Sequence, residues 1–388
     1  MKRLPAWFVI PLLAFTLSRL LIFGAGVLGD TMLPTEDGHW VADAKSPFLS
    51  MWAKWDSQYY IDIATNGYWF RPNQQSNVAF FPLYPILVKV SAGLFGDNLI
   101  LTGFMVSNLA FFVGLIFFYL LTELELDSAS AKRAVYYLAF FPTSFFFSSV
   151  YTESLFVCLS IATMFFARKH QWILAVVFGI LTAATRNMGI LMWALVLWEW
   201  LRVQGWNIYG IFQKDMWLNL WNGFKLHWFE ILIISLIPLG MIVYIYFLKV
   251  NFDRPMAFIE TQAAWGRENI GPVAVLEKNI PTLIHGEVNK GWLTIFWNVA
   301  TYLFFLALVP LIWFKFGEGY AIFVLIMLLV PSMSAVGSIF RYVLTQFPAF
   351  MILASWGRDD RVDRTLTTAF ATLLGVFVVI FVNWVFVA

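Results

Sequence analysis

The chain has 388 residues, 61% of them hydrophobic and 12% charged, where an ordinary soluble domain carries about 25% charged residues. Several uninterrupted apolar runs reach the roughly 20 residues that a bilayer core requires, which excludes a soluble protein and implies an all-α polytopic membrane protein. A net charge of +2 gives no electrostatic case for a nucleic-acid partner, and the lone Cys158 excludes an intrachain disulfide and a cysteine-rich metal site.

Lys2 and Arg3 precede an apolar stretch running to about Leu28, longer than the roughly 7–15 residues of a secretory signal core, so it reads as a retained first span. With this one at 7–28, apolar runs predict further spans near 99–123, 134–150, 152–168, 171–186, 188–202, 229–250, 292–314, 319–336, 342–356 and 365–387. The total is about eleven transmembrane helices in a single domain, 1–388. The stretch 78–96 is apolar too, but Pro82, Pro85 and Lys89 interrupt it, and it reads as an interfacial helix. That assignment places Lys2/Arg3, Lys132/Arg133, Arg168/Lys169, Lys315 and Arg358/Arg361/Arg364 together on the cytoplasmic side, as the positive-inside rule requires. A long first extracytoplasmic loop, 29–98, and a second, 251–291, follow from it. Trp206, Trp217, Trp221 and Trp228 in the inner loop 203–228 suit a helix lying along the cytoplasmic interface.

The first outer loop holds Asp30, Glu36, Asp37, Asp43, Asp56 and Asp62. Read as a helix, positions 56, 59, 60 and 63 share one face, which offers a carboxylate, the phenols of Tyr59 and Tyr60, and an aliphatic contact. Asp62 lies about 240° round the same helix, so Asp56 is the better candidate for chemistry. Other polar groups fall at the outer ends of spans: Tyr151-Thr152-Glu153-Ser154, Thr185-Arg186-Asn187 and Phe340-Arg341-Tyr342. Gln262, Trp265 and Arg267 lie in the second outer loop. An ionisable residue at membrane depth is expensive, and several such clusters on the face of Asp56 point to one site. Arg19, inside the first span, reads as a structural anchor for the first loop. The four histidines, His39, His170, His227 and His285, show no metal-ligand spacing.

The run Trp55-Asp56-Ser-Gln-Tyr59-Tyr60-Ile-Asp-Ile-Ala-Thr-Asn-Gly67-Tyr68, followed by Phe80-Phe81-Pro82-Leu83-Tyr84-Pro85, resembles the first-loop signature of PIG-V-type mannosyltransferases. Phe141-Pro142 through Tyr151-Thr-Glu153-Ser154, Thr185-Arg186-Asn187-Met-Gly189, Gln262-Ala-Ala-Trp265 and Arg341-Tyr342 before Phe347-Pro348 continue the resemblance in order. It implies a GT-C-type glycosyltransferase fold, a polyprenyl-phosphate-mannose donor and Asp56 as the catalytic base. Arg186, Arg267 and Arg341 would then stabilise the departing lipid phosphate, and Tyr59, Tyr151 and Trp265 would stack on the sugar or bound the pocket. Tyr60, Glu153, Asn187, Gln262 and Tyr342 complete the expected donor-binding set. No obligatory metal or other cofactor is expected, although Asp56 with Glu153 is the pair that would gather a divalent cation.

The resemblance implies a lipid- or glycan-linked acceptor hydroxyl on the extracytoplasmic face, with a GPI precursor, a bacterial lipoglycan and a protein hydroxyl all open, and it leaves room for a small membrane partner subunit. The competing class is a transporter or flippase of a lipid-linked sugar, which would carry polar groups near the bilayer midplane rather than at one face. No asparagine begins an N-x-Ser/Thr sequon, which favours a prokaryotic plasma membrane over the endoplasmic reticulum.

Overall fold

The computed structural model of the chain describes residues 4–33, 39–267 and 269–386; Lys2, Arg3, Glu36 and Asp37, named above, lie outside the described residues. Regular structure among the described residues is helical throughout. The first expected span is α1 (Ala6–Met32). In the loop that follows, the Ser46 side chain caps α2 (Pro47–Met51), with Pro47 at the first helical turn where a missing N–H leaves nothing unpaired. Next comes α3 (Ser57–Asn66), which stops at Gly67, a residue with φ of 85°. The expected interfacial segment is α4 (Leu83–Ser91) continued by a tighter turn over Ala92–Phe95. Thirteen residues reach about 20 Å, short of a bilayer core of roughly 30 Å.

The Asn98 side chain caps α5 (Leu99–Glu125), and Asp127 caps α6 (Ser128–Phe140). After these come α7 (Glu153–Arg168), α8 (Trp172–Ala183), α9 (Leu191–Val203), and α10 (Lys214–Leu226). On α10, Trp217 and Trp221 are exposed one turn apart, as an interfacial helix requires. The chain continues through α11 (Trp228–Ile234), α12 (Leu239–Phe252), α13 (Ala257–Glu260), α14 (Pro272–His285), α15 (Lys290–Phe316) and α16 (Glu318–Ser332). It ends with α17 (Ile339–Tyr342), α18 (Phe347–Trp356) and α19 (Asp360–Val382).

Among the described residues four helices, α1, α5, α15 and α19, are long and apolar enough to cross a membrane, and α11 with α12, bent by 42° at a break that ends in Pro238, makes a fifth. The other expected spans fall on helices of 10 to 16 residues, so length and composition alone do not reach eleven crossings. The expected span 134–150 divides for a visible reason. Pro142 disfavours helical geometry at Phe141, and α6 stops at Phe140. Residues 141–152 then run irregularly through the core, fully buried or nearly so. Backbone of this kind at membrane depth must find partners within the protein. Thr143 Oγ1 donates to the Phe340 carbonyl at 2.8 Å, Ser144 Oγ to the Ala139 carbonyl at 2.7 Å, and Ser154 Oγ to the Phe147 carbonyl at 2.7 Å. Arg19 also serves this segment, which corrects the expectation that it anchors the first loop. Its guanidinium donates to Ser148 Oγ at 2.7 Å and lies 4.8 Å from the centre of the Phe111 ring.

Cys158 is buried on α7 opposite Gly114 of α5, where an added Cβ would lie 3.2 Å from the Cys158 Cα. Glu153 and Arg168 are the first and last residues of α7, about 22 Å apart along its axis. At the Arg168 end, its guanidinium pairs with Glu125 (2.5 Å) and Glu199 (2.6 Å), joining α5, α7 and α9. The loops α8–α9, α12–α14 and α16–α18 come together at the Glu153 end with the first-loop helix α3.

Candidate active site

Those loops enclose a cavity of about 660 Å³. Of the twelve residues expected to bind or react, eleven line it, and only Tyr151 does not. Asp56 sits at the N-cap of α3, yet its carboxylate makes no capping bond. Instead Asp56 Oδ2 accepts from Arg341 Nη1 at 2.7 Å. Arg341 reaches it from α17, almost wholly buried between Asp56 and Glu153.

Glu153 opens α7 and is 1% exposed. Its Oε1 accepts from Arg186 Nη1 at 2.8 Å and faces Arg341 Nε at 3.5 Å, while Oε2 is buried without a hydrogen-bond partner. The tight turn after α8 delivers Arg186: Gly189 passes so close to the end of α8 that a Cβ would lie 2.1 Å from the Thr182 carbonyl oxygen. Asn187 lines the rim and uses its Oδ1 to accept from the Met188 amide. From the second outer loop, Arg267 donates to Gln262 Oε1 and to the Tyr342 phenol oxygen, each at 3.1 Å. Arg341 Nη2 donates to the same phenol at 3.4 Å, and Arg186 lies 5.2 Å from the centre of the Tyr342 ring. Tyr342 thus stands among three guanidiniums. Counting only guanidiniums and carboxylates, three arginines stand against Asp56 and Glu153 in the lining, a formal balance of 3 − 2 = +1.

The opposite wall is aromatic. Tyr59 stacks on Phe80 with ring centres 4.7 Å apart, and Trp265 sets its edge against both rings at 5.9 and 6.2 Å. Burial, with Asp56 and Asp62 nearby, pushes the Tyr59 phenol up, and burial together with Glu153 does the same for Tyr60. Both phenols are therefore protonated at neutral pH. The Tyr60 hydroxyl pairs with Thr152 Oγ1 at 3.2 Å.

Tyr151 corrects the expectation of a pocket residue. It is fully buried under the first loop, where its hydroxyl donates to the Lys54 carbonyl and its oxygen accepts from the Asp56 amide, both at 3.1 Å. It holds the backbone that carries Asp56. Asp62 faces away from the cavity, as the helical spacing implies, and accepts from Trp69 Nε1 (2.6 Å) and Asn77 Nδ2 (2.9 Å). Phe80, Gln58, Gln75 and Phe386 also line the cavity and were not among the expected residues. Phe80 lies within the Phe-Phe-Pro motif, so a signal existed for it, whereas Gln58, Gln75 and Phe386 carried none. Among the described residues no group of three or more His, Cys, Asp or Glu side chains gathers at one point.

Residues 25–273, well over half of the chain, match the family described as Mannosyltransferase (PIG-V). The chain belongs to this family. Two curated relatives are both called GPI mannosyltransferase 2. One, from Drosophila pseudoobscura pseudoobscura, is 28% identical over 135 residues, 32% of this chain and 29% of that protein. The other, from Schizosaccharomyces pombe, is 28% identical over 145 residues, 36% of this chain and 30% of its own length. The matched part of the chain therefore spans under a third of either relative. The fold is similar to that of ArnT from Cupriavidus metallidurans, solved bound to undecaprenyl phosphate. The TM-score is 0.52 at 15% identity, over 90% of this chain and 60% of that one. The likeness is one of fold, the GT-C type, and this member of the PIG-V family is a multi-pass membrane protein. Asp56, Glu153, Arg186 and Arg267 fall inside the matched residues, while Arg341 and Tyr342 lie beyond them.

Proposed function

We propose that the chain moves mannose from a polyprenyl-phosphate-mannose donor to the hydroxyl of a lipid- or glycan-linked acceptor at the extracytoplasmic face of a prokaryotic plasma membrane. The observation that carries this reading is the meeting of Asp56 with Arg186, Arg267 and Arg341 in one cavity of a PIG-V family member. The acceptor oxygen attacks the anomeric carbon as Asp56 takes its proton. The bond from that carbon to the phosphate oxygen breaks, and its electron pair leaves with the lipid phosphate, inverting a β-linked donor to an α-mannoside. Phosphate gains charge in that step, and the three guanidiniums lie where it can be stabilised. Arginine suits this because its planar fork holds phosphate oxygens in pairs.

In this reading the short helices α6 to α9, α16 and α18 complete their crossings with the irregular segments at the cavity end, for about eleven in all. No obligatory divalent cation is expected, since the donor is a monophosphate and Asp56 and Glu153 each already pair one oxygen with an arginine. The test uses purified protein, labelled polyprenyl-phosphate-mannose and a lipid extract of the source membrane, with and without a chelator. A labelled product in both arms is expected. No product despite saturable donor binding would overturn the transfer reading, and loss of product in the chelator arm would overturn its metal independence.

A further inference from the structure

Beyond the residues that match the family, the strand of chain after α19 reaches the cavity. Asn383 Nδ2 donates to the Gly29 carbonyl at the end of α1 (3.1 Å), and Thr294 of α15 donates to the Phe386 carbonyl (3.1 Å). Fixed at both ends, this strap presents two rings to Trp55: Trp384 at 5.3 Å and Phe386 at 5.2 Å between centres, both edge-on. Phe386 itself lines the cavity.

Trp55 is the residue immediately before Asp56, and two features of it are unfavourable. Its φ is 53°, a left-handed conformation that a bulky non-glycine residue avoids. Its indole N–H is buried with no hydrogen-bond partner. Strain of this kind persists only where the surroundings impose it. The surroundings here act from two sides: Tyr151 holds the backbone at Lys54 and Asp56 from beneath, and the strap wedges the Trp55 ring from above. Were Trp55 to relax to an ordinary φ, the next residue would swing, and the Asp56 carboxylate would leave Arg341.

We propose that Trp384 and Phe386 are positioning residues, which act through Trp55 to aim the Asp56 carboxylate into the cavity; the proposal rests on the reading of Asp56 as the base. The test compares wild type with Trp384→Ala, Phe386→Ala and the conservative Trp384→Phe. Two readouts are taken: steady-state mannosyl transfer, and hydrogen exchange of the amides of residues 52–60. In both alanine variants kcat is expected to fall about 10- to 100-fold with the thermal midpoint unchanged; donor KM should stay unchanged in Trp384→Ala, whose ring does not line the cavity, while Phe386→Ala is read on kcat and exchange alone. Exchange across 52–60 should quicken, and Trp384→Phe should keep most of the activity. Unchanged kcat and unchanged exchange would overturn the proposal. So would losses of kcat and KM that track a lowered thermal midpoint, because simple packing would then suffice. If wild type shows no transfer, the functional reading fails separately, and unchanged exchange would still overturn the role of the strap.

Discussion

Arg341 answers to three groups at once, namely the Asp56 carboxylate, the Glu153 carboxylate and the Tyr342 phenol. A lysine at that position keeps the charge but lacks the planar fork that serves them together. Arg341→Lys is expected to lower kcat/KM by about 100-fold or more, and an unchanged value in steady-state assays would show that charge alone suffices. Lys54, beside the Trp384 ring at 4.6 Å, adds a pH signature. Burial holds its ammonium pKa down at about 8 from an ordinary 10.5, with Asp30 opposing the shift. Between those values the unfolded chain binds more protons than the folded one, so this group makes stability rise with pH across that window. The thermal midpoint of wild type should therefore gain on that of Lys54→Met from pH 8 to 10.5, and parallel curves would contradict it. Little of this was legible in the sequence. Asp56 and the arginines could be named from their motifs and their place at the outer ends of spans. Tyr151 could not be separated from a pocket residue, because its partners are backbone groups of a loop 95 and 97 positions away.

At the scale of elements, the strap depends on how α19 sits against α1. A Cβ at Gly29 would lie 3.0 Å from the Val379 Cα, a backbone atom that cannot turn aside, whereas one at Gly24 meets nothing within 4 Å. Gly29→Val should push α19 outward, lower the thermal midpoint and depress transfer, while Gly24→Ala should leave both unchanged. Equal behaviour of the two variants would show that the α1–α19 contact does not set the site. Apolar runs mislead at this scale too. Residues 134–150 read as one span, but an apolar run does not separate a buried helix from buried irregular chain. Pro142 was the available sign. Residues 365–387 read as a generic span, and nothing in them announced that Asn383 would bond Gly29, 354 positions earlier.

In the whole molecule, polarity is divided between two ends. The Arg168–Glu125–Glu199 network ties helices at one end, and the cavity with its three arginines opens at the other. That clustering was legible in part: the positive-inside pattern put all twelve expected residues toward one end of the bundle, and eleven of them line the cavity. The number of crossings was less legible, since short helices and irregular segments share the apolar stretches. The proposed chemistry turns on one carboxylate, Asp56, as the base for transfer in this cavity. Its most direct test is single-turnover mannosyl transfer by wild type and Asp56→Asn at saturating donor, with donor binding measured on the same preparations. Wild type should give an α-linked product and the variant none, with donor bound by both. Comparable turnover by Asp56→Asn would contradict that role.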